Sequence, residues 1–293
     1  MKNGLAPLLI LMGAILWGTV GTANTYAPGN VESIAMGAMR LLIGGIVLSI
    51  TAALMGKLTL KGWPVKAVVL AALFMALFQP FFFTAVSLTG VAVGTVVCIG
   101  SAPVFSGLIE WSILKSRPSG AWWASTALAV TGCITLMFNT NTVTVDPLGI
   151  LSGLGAGVSF AGYTILNSKL VRNHHPIAIV ALVFTTSAIM LLPFLFIYDT
   201  SWLREPSGIS VALYIGLIAT GIAYFLFSSG LKHVKSSTAV TLALAEPLTA
   251  ALLGVFLVGE VLDGWSWAGL IMLLMGIVIL VFQSRQRSVR AEV

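Results

Sequence analysis

Charge is what this chain lacks. Only 8% of its 293 residues are Asp, Glu, Lys or Arg, where soluble domains carry about 25%. Hydrophobic residues make up 58%, and the mean hydropathy is +1.04. No soluble fold could cover itself with so few charges, so most of the surface must meet lipid. Cysteine and histidine are scarce too. Cys98 and Cys133 lie within apolar runs, which excludes a disulfide framework and points to core packing. His174, His175 and His233 all fall in predicted loops, no His-Glu-x-x-His pattern occurs, and no two acidic residues share an apolar run. A membrane-embedded hydrolase needs a metal, an acid pair or an activated nucleophile. The expectation is therefore no enzyme, no metal and no cofactor. No Gly-x-x-x-x-Gly-Lys-Ser/Thr run is present, so direct drive by ATP has no support.

What the chain has is ten apolar stretches, at 5–26, 33–55, 65–88, 91–114, 121–139, 148–168, 176–198, 209–231, 236–258 and 265–283. A helical span needs roughly 20 apolar residues. The fold class expected is an all-α integral membrane protein with ten transmembrane helices. Turn-forming breaks such as Pro28-Gly29-Asn30, Gly56-Lys57 and Ser116-Arg117-Pro118 separate the spans. Only Ser87 to Gly90 divides the third from the fourth, which demands a tight turn. The first run lacks a small-x-small cleavage signal and is read as a span rather than a leader. A formal charge of +6 would suggest nucleic acid in a soluble protein; here basic residues holding cytoplasmic loops explain it better. With the N-terminus inside, 13 of the 15 basic residues face the cytoplasm, while Glu32, Asp146, Asp199, Glu205, Glu260 and Asp263 fall outside. Both termini are therefore expected to be cytoplasmic, in a bacterial-type inner membrane. Trp63, Trp122, Trp123, Trp202, Trp265 and Trp267 fall near span ends and read as an interfacial belt.

The chain also resembles itself at an offset of 144 residues: Gly13 meets Gly157, Gly18 meets Gly162, Phe83 meets Phe227, Pro103 meets Pro247, Trp123 meets Trp267 and Gly132 meets Gly276. Each copy, 1–144 and 145–293, holds five spans. Five is odd, so the copies must cross the membrane in opposite directions. Inverted repeats place a substrate site near mid-membrane between the halves, which can rock to open one side and then the other.

Several motifs carry a family resemblance. Trp17-Gly18 on the first span, Met39-Arg40-Leu41-Leu42 on the second, Ala245-Glu246-Pro247-Leu248 on the ninth, then Gly259-Glu260 and Trp267-Ala268-Gly269, occur in the order and spacing of one family. Over nearly its whole length the chain resembles the drug/metabolite transporter superfamily, of the EamA type with ten helices. The first repeat departs from the pattern, with Lys115-Ser116 opposite Gly259-Glu260 and Ala102 opposite Glu246. The resemblance implies export of amino acids, related metabolites or toxic compounds. It also implies a central cavity lined by helices one, three, four, six, eight and nine.

Ionisable residues inside a span are costly and need a reason. Glu246 lies near the middle of span nine, beside Pro247, which removes a donor and loosens the carbonyl four residues earlier. Such a carboxyl could bind a cation, a proton or a substrate ammonium, or tie helices together. Arg40 reads as snorkelling to the headgroups, with a substrate-carboxylate role as the alternative. Glu110, near the inner end of span four, reads as structural or snorkelling. Trp17, Asn24, Gln79, Tyr163 and Tyr224 sit on the helices assigned to the cavity, and aromatic faces with a few polar tips suit an amphipathic metabolite. With Glu246 they form the expected substrate site. Pro103 and Pro247, equivalent in the repeats, are the expected hinges. Gly149, Gly153 and Gly157 let helices approach closely. The expected partners are a small-molecule substrate and membrane lipid, with possible proton coupling, no nucleic acid, and a monomeric or homodimeric state. The function expected is a secondary transporter exporting a small metabolite by alternating access; the alternative is a passive channel or facilitator.

Overall fold

The computed structural model describes residues 5–29, 31–58, 62–136, 146–259 and 261–290. Among these residues there are ten apolar helices: α1 (Ala6–Asn24), α2 (Ser33–Leu54), α3 (Val65–Gly90), α4 (Val93–Ser112), α5 (Gly120–Leu136), α6 (Pro147–Leu170), α7 (Pro176–Ile197), α8 (Pro206–Leu231), α9 (Ser236–Leu257) and α10 (Gly264–Arg290). All but α5 have the length and hydropathy to span a bilayer by themselves, and α5 reaches 17 residues. The fold is that of a ten-helix membrane protein.

Local chemistry sets the helix starts. Pro147, Pro176 and Pro206 open α6, α7 and α8, where a missing N–H costs nothing and the fixed φ suits the helix. Asp146 caps α6 by accepting from the N–H groups of Leu148 at 2.8 Å and Gly149 at 3.3 Å. His175 caps α7, its Nδ1 accepting from the Ile177 N–H at 3.4 Å. Burial, then the charges of Lys57 and Lys232, push the His175 pKa below its ordinary value. The tight turn between α3 and α4 is concentrated at Gly90, with φ 84° and ψ 161°, a conformation open to glycine and almost closed to other residues.

Every helix of the first half packs on helices of the second. α1 lies along α8 and α9, α2 along α7 and α8, α3 and α4 along α6, and α5 along α10. The glycine row of α6 makes one of these contacts: Gly149 faces Leu88 and Thr89, Gly153 faces Val97, and Gly157 faces Cys98.

Two expectations change, and a third, for Glu110, narrows to its structural alternative. Trp123, Trp265 and Trp267 are exposed, but Trp202 and Trp122 are buried. Trp202 folds under the start of α8, its indole N–H donating to the Asp199 carbonyl at 3.1 Å, and Trp122 packs against Gly107. A glycine at each place, Gly208 against Trp202 and Gly107 against Trp122, lets the residue pack close to the helix. Glu110 does not snorkel: it is 5% exposed and accepts from the Ser237 N–H at 3.0 Å.

Candidate functional site

A cavity of ≈ 1260 Å³ runs down the middle of the bundle. Its mouth lies at the end that carries the α1–α2, α3–α4 and α9–α10 connections, with Thr25, Pro28, Gly90 and Val261 on the rim. No lining residue belongs to the α4–α5, α6–α7 or α8–α9 connections at the other end. The cavity is therefore deep, open at one end and shut at the other.

Aromatic rings form the floor and one wall. Trp17 packs on Tyr224 with ring centroids 4.6 Å apart, on Phe227 at 5.1 Å and on Phe160 at 5.8 Å. Phe78, Phe82 and Phe83 line the wall from α3, where Phe78 and Phe82 stack at 5.7 Å. Polar groups are few and placed among these rings. Gln79 is buried on the cavity wall, and among the described residues both atoms of its amide lack a partner, as does Trp17 Nε1. A buried donor or acceptor left unmet costs about 1–3 kcal/mol, so a solute that meets them recovers part of that loss.

Two charges complete the lining. Arg40 projects from α2, its Nε donating to Thr220 Oγ1 at 3.0 Å. Thr220 sits in a π-helical stretch of α8, Leu217–Ile222, a geometry common at functional sites. Glu246 is half-buried on α9. That helix is interrupted at Ala243 and Leu244, between a short segment Ser236–Leu242 and a second segment from Ala245. Pro247 has no N–H to offer the Ala243 carbonyl, which accepts instead from the Glu246 N–H at 2.9 Å. The proline thus makes the irregularity and the glutamate lies in it. Arg40, Tyr224 and Glu246 line the same cavity. The set offers a cation, an acid, an indole N–H and a free amide around an aromatic floor.

Of the residues singled out in the sequence, Trp17, Gln79, Tyr224 and Glu246 meet in the cavity, and Asn24 is exposed at its mouth. Tyr163 is not among the lining residues. It stands behind Tyr224 at 5.9 Å between ring centroids, and its hydroxyl accepts from Asn167 Nδ2 at 3.1 Å. Pro247 lines the cavity, while Pro103 is buried within α4 without interrupting it. Arg40 does not snorkel; the hydroxyl of Thr220 holds it on the cavity wall, so α2 joins the expected lining helices. Phe78, Phe82 and Phe160 escaped the sequence reading. The four-residue spacing of the two α3 phenylalanines around Gln79 was the available signal.

The shut end is polar and tied. The Glu110 carboxylate on α4 holds the Ser237 N–H at the start of α9. Thr126 of α5 and Thr241 of α9 share a hydrogen bond at 3.0 Å, Ser236 Oγ donates to Ser168 Oγ of α6 at 2.9 Å, and Ser228 Oγ of α8 donates to Asn167 Oδ1 at 3.0 Å. The short first segment of α9 is thereby fastened to three neighbours.

The model of the EamA-like transporter family matches this sequence twice, over residues 4–138 and 147–282. The chain belongs to the EamA-like transporter family. Within that family, this transporter is 48% identical over 280 residues to the uncharacterized transporter YwfM of Bacillus subtilis (strain 168), covering 96% of this chain and 95% of that one. It is 27% identical over 175 residues to a probable amino-acid metabolite efflux pump of Salmonella typhimurium, covering 56% of this chain and 58% of that protein. A solved crystal structure matches the EamA-like chain with a TM-score of 0.81 at 20% identity, over 96% of this chain and 98% of that one; at that identity the likeness speaks for the fold alone.

Proposed function

We propose that this multi-pass membrane protein exports a small amphipathic metabolite, an amino acid or a related compound, across a bacterial inner membrane by alternating access. The observation that carries the reading is the cavity: an aromatic floor with Arg40, Glu246, Trp17 Nε1 and the Gln79 amide around it, open at one end and shut at the other. A carboxylate suits Arg40, an ammonium suits Glu246, and an apolar body suits the rings of Trp17, Phe78 and Phe160. The name of the Salmonella relative, a probable amino-acid metabolite efflux pump, agrees with such a solute.

In this reading residues 1–144 and 145–293 are two inverted five-helix repeats, and both termini are cytoplasmic, as the distribution of Lys and Arg favours. The mouth then faces outward. Packing supports an exchange between two states. Gly18 of α1 lies against α9, where an added Cβ would come 2.6 Å from the Glu246 carbonyl oxygen. Its counterpart Gly162 of α6 lies against Phe74 of α3, not against α4, the counterpart of α9. Two like units in unlike contacts give one open end and one shut end. If the units exchange contacts, the ends exchange roles.

A screen of amino acids and related metabolites for thermal stabilisation of the purified protein tests the site, since a ligand bound to the native state raises its stability. Stabilisation that disappears in Trp17→Ala, with the fold retained, is the expected result; an unchanged shift puts the site elsewhere. Glu246 is the proposed proton carrier, and pH-dependent transport that survives in Glu246→Gln ends that role. A channel, the other reading, would show no stimulation of exchange by solute on the far side. Labelling of cysteines placed at Asn141, outside the described residues, and Ser288 tests the threading: they must face opposite compartments.

A further inference from the structure

The shut end has a second hollow, of ≈ 590 Å³, lined by Trp111, Ser112, Lys115 and Arg117 at the end of α4 and in the turn to α5. The Arg117 guanidinium carbon lies 5.8 Å from the centre of the Trp111 ring, within cation–π reach. Lys235 arrives from the α8–α9 connection, its Nζ donating to Ser116 Oγ at 2.7 Å. Gln283 Nε2 donates to Ser119 Oγ at 2.8 Å, so α10 passes this corner. The carboxylate of this stretch, Glu110, is buried and engaged by the Ser237 N–H. The corner is strongly basic on its outside.

The backbone gives an independent reason to think the lysine is there for its side chain. Lys115 has φ 54°, the one non-glycine with positive φ among the described residues. At its equivalent in the second repeat, 144 positions on, stands Gly259 with φ 82°. Both turns need a left-handed residue, which glycine adopts without the Cβ clash that opposes it in other residues. The second repeat meets the need with glycine and follows it with Glu260; the first keeps lysine and follows it with Ser116. Beside Lys115, Trp111 and Ile113 are 45% and 67% exposed, so the basic hollow borders a surface that meets acyl chains.

We propose that this corner seats the headgroup of an anionic phospholipid, with the phosphate between Lys115 and Arg117 and the Trp111 ring at the level of the glycerol. Basic pockets with an interfacial aromatic hold such headgroups by charge while the chains stay in the bilayer. The site depends on the membrane-spanning fold alone and stands whether or not the transport reading does.

The test is native mass spectrometry of the full-length protein with equal amounts of phosphatidylglycerol and phosphatidylcholine of the same acyl chains. The wild type should retain phosphatidylglycerol preferentially. Two cations at about 1 kcal/mol each predict that Lys115→Gly with Arg117→Gln lowers the preference about 30-fold. Lys115→Gly relieves the turn as Gly259 does, so misfolding would not explain a loss. Lys66→Gln, at an exposed position on the same end, should leave the preference unchanged. An unaltered preference in the double variant, or an equal loss in Lys66→Gln, overturns the proposal. So does displacement of the lipid by inorganic phosphate at equal concentration, which would make the corner a site for free anions.

Discussion

The two ends of this bundle are built from equivalent pieces and behave differently. At the shut end, Glu110 of α4 grips the start of α9 through the Ser237 N–H. At the mouth, the positions 144 residues away are Gly254 and Val93, and both line the open cavity. One end thus has a buried carboxyl that accepts a backbone hydrogen bond; its counterpart has a glycine, Gly254, where that carboxyl would stand. A hydrogen bond to a charged group is worth about 1.5–3 kcal/mol, enough to decide which end rests closed. In the proposed exchange between states, the repeats would supply a common frame and substitutions within it would set the preference.

Removing Arg40 or Glu246 should have the largest effect, because both ends serve one site. Arg40→Gln is expected to weaken solute binding about 100-fold, within the 2–5 kcal/mol that a lost buried charge partner costs, measured by thermal shift or uptake in vesicles. A smaller change would show that the cavity, whichever end is open, does not read the solute's charge. Next is the latch. Glu110→Ala should shift the balance toward opening of the shut end about 10-fold or more, read as faster labelling of a cysteine placed at Thr241 in a background without Cys98 and Cys133. Gly254→Ala, at the equivalent place, should move the balance little. Trp17→Phe keeps the ring and removes the unmet N–H, and should cost about fivefold in affinity. Smallest is the proline pair. Pro247→Ala restores a donor for the Ala243 carbonyl and should slow transport several-fold by straightening α9, whereas Pro103→Ala, in an uninterrupted helix, should stay near wild type. Equal effects would erase the contrast between the halves.

How much of this was legible beforehand depends on the kind of signal. Length and hydropathy located the ten spans to within a few residues, since lipid enforces both, and the demand for a turn at Ser87 to Gly90 was met by Gly90 alone. Glu246 and Pro247 stood out because charge and proline inside a span are expensive. Arg40 and Glu110 stood out for the same reason, but their partners did not. Thr220 is 180 residues from Arg40 and Ser237 is 127 from Glu110, and no periodicity reports contacts at that range. Tyr163 illustrates the same limit: it shares a face of α6 with Phe160, which lines the cavity, but lies one turn further along, behind Tyr224. The asymmetry between Pro103 and Pro247 also required the structure, because an identical residue at an equivalent position interrupts one helix and not the other.

The most direct measurement pairs two distances. Spin labels at Gly29 and Val261 span the mouth, and labels at Lys115 and Lys232 span the opposite end. In lipid nanodiscs, each pair should show two populations, and Glu110→Ala should raise the short fraction at the mouth while raising the long fraction at the other end. A single unchanging distance at both ends, or two ends that widen together, would contradict a pair of units exchanging contacts around one central site.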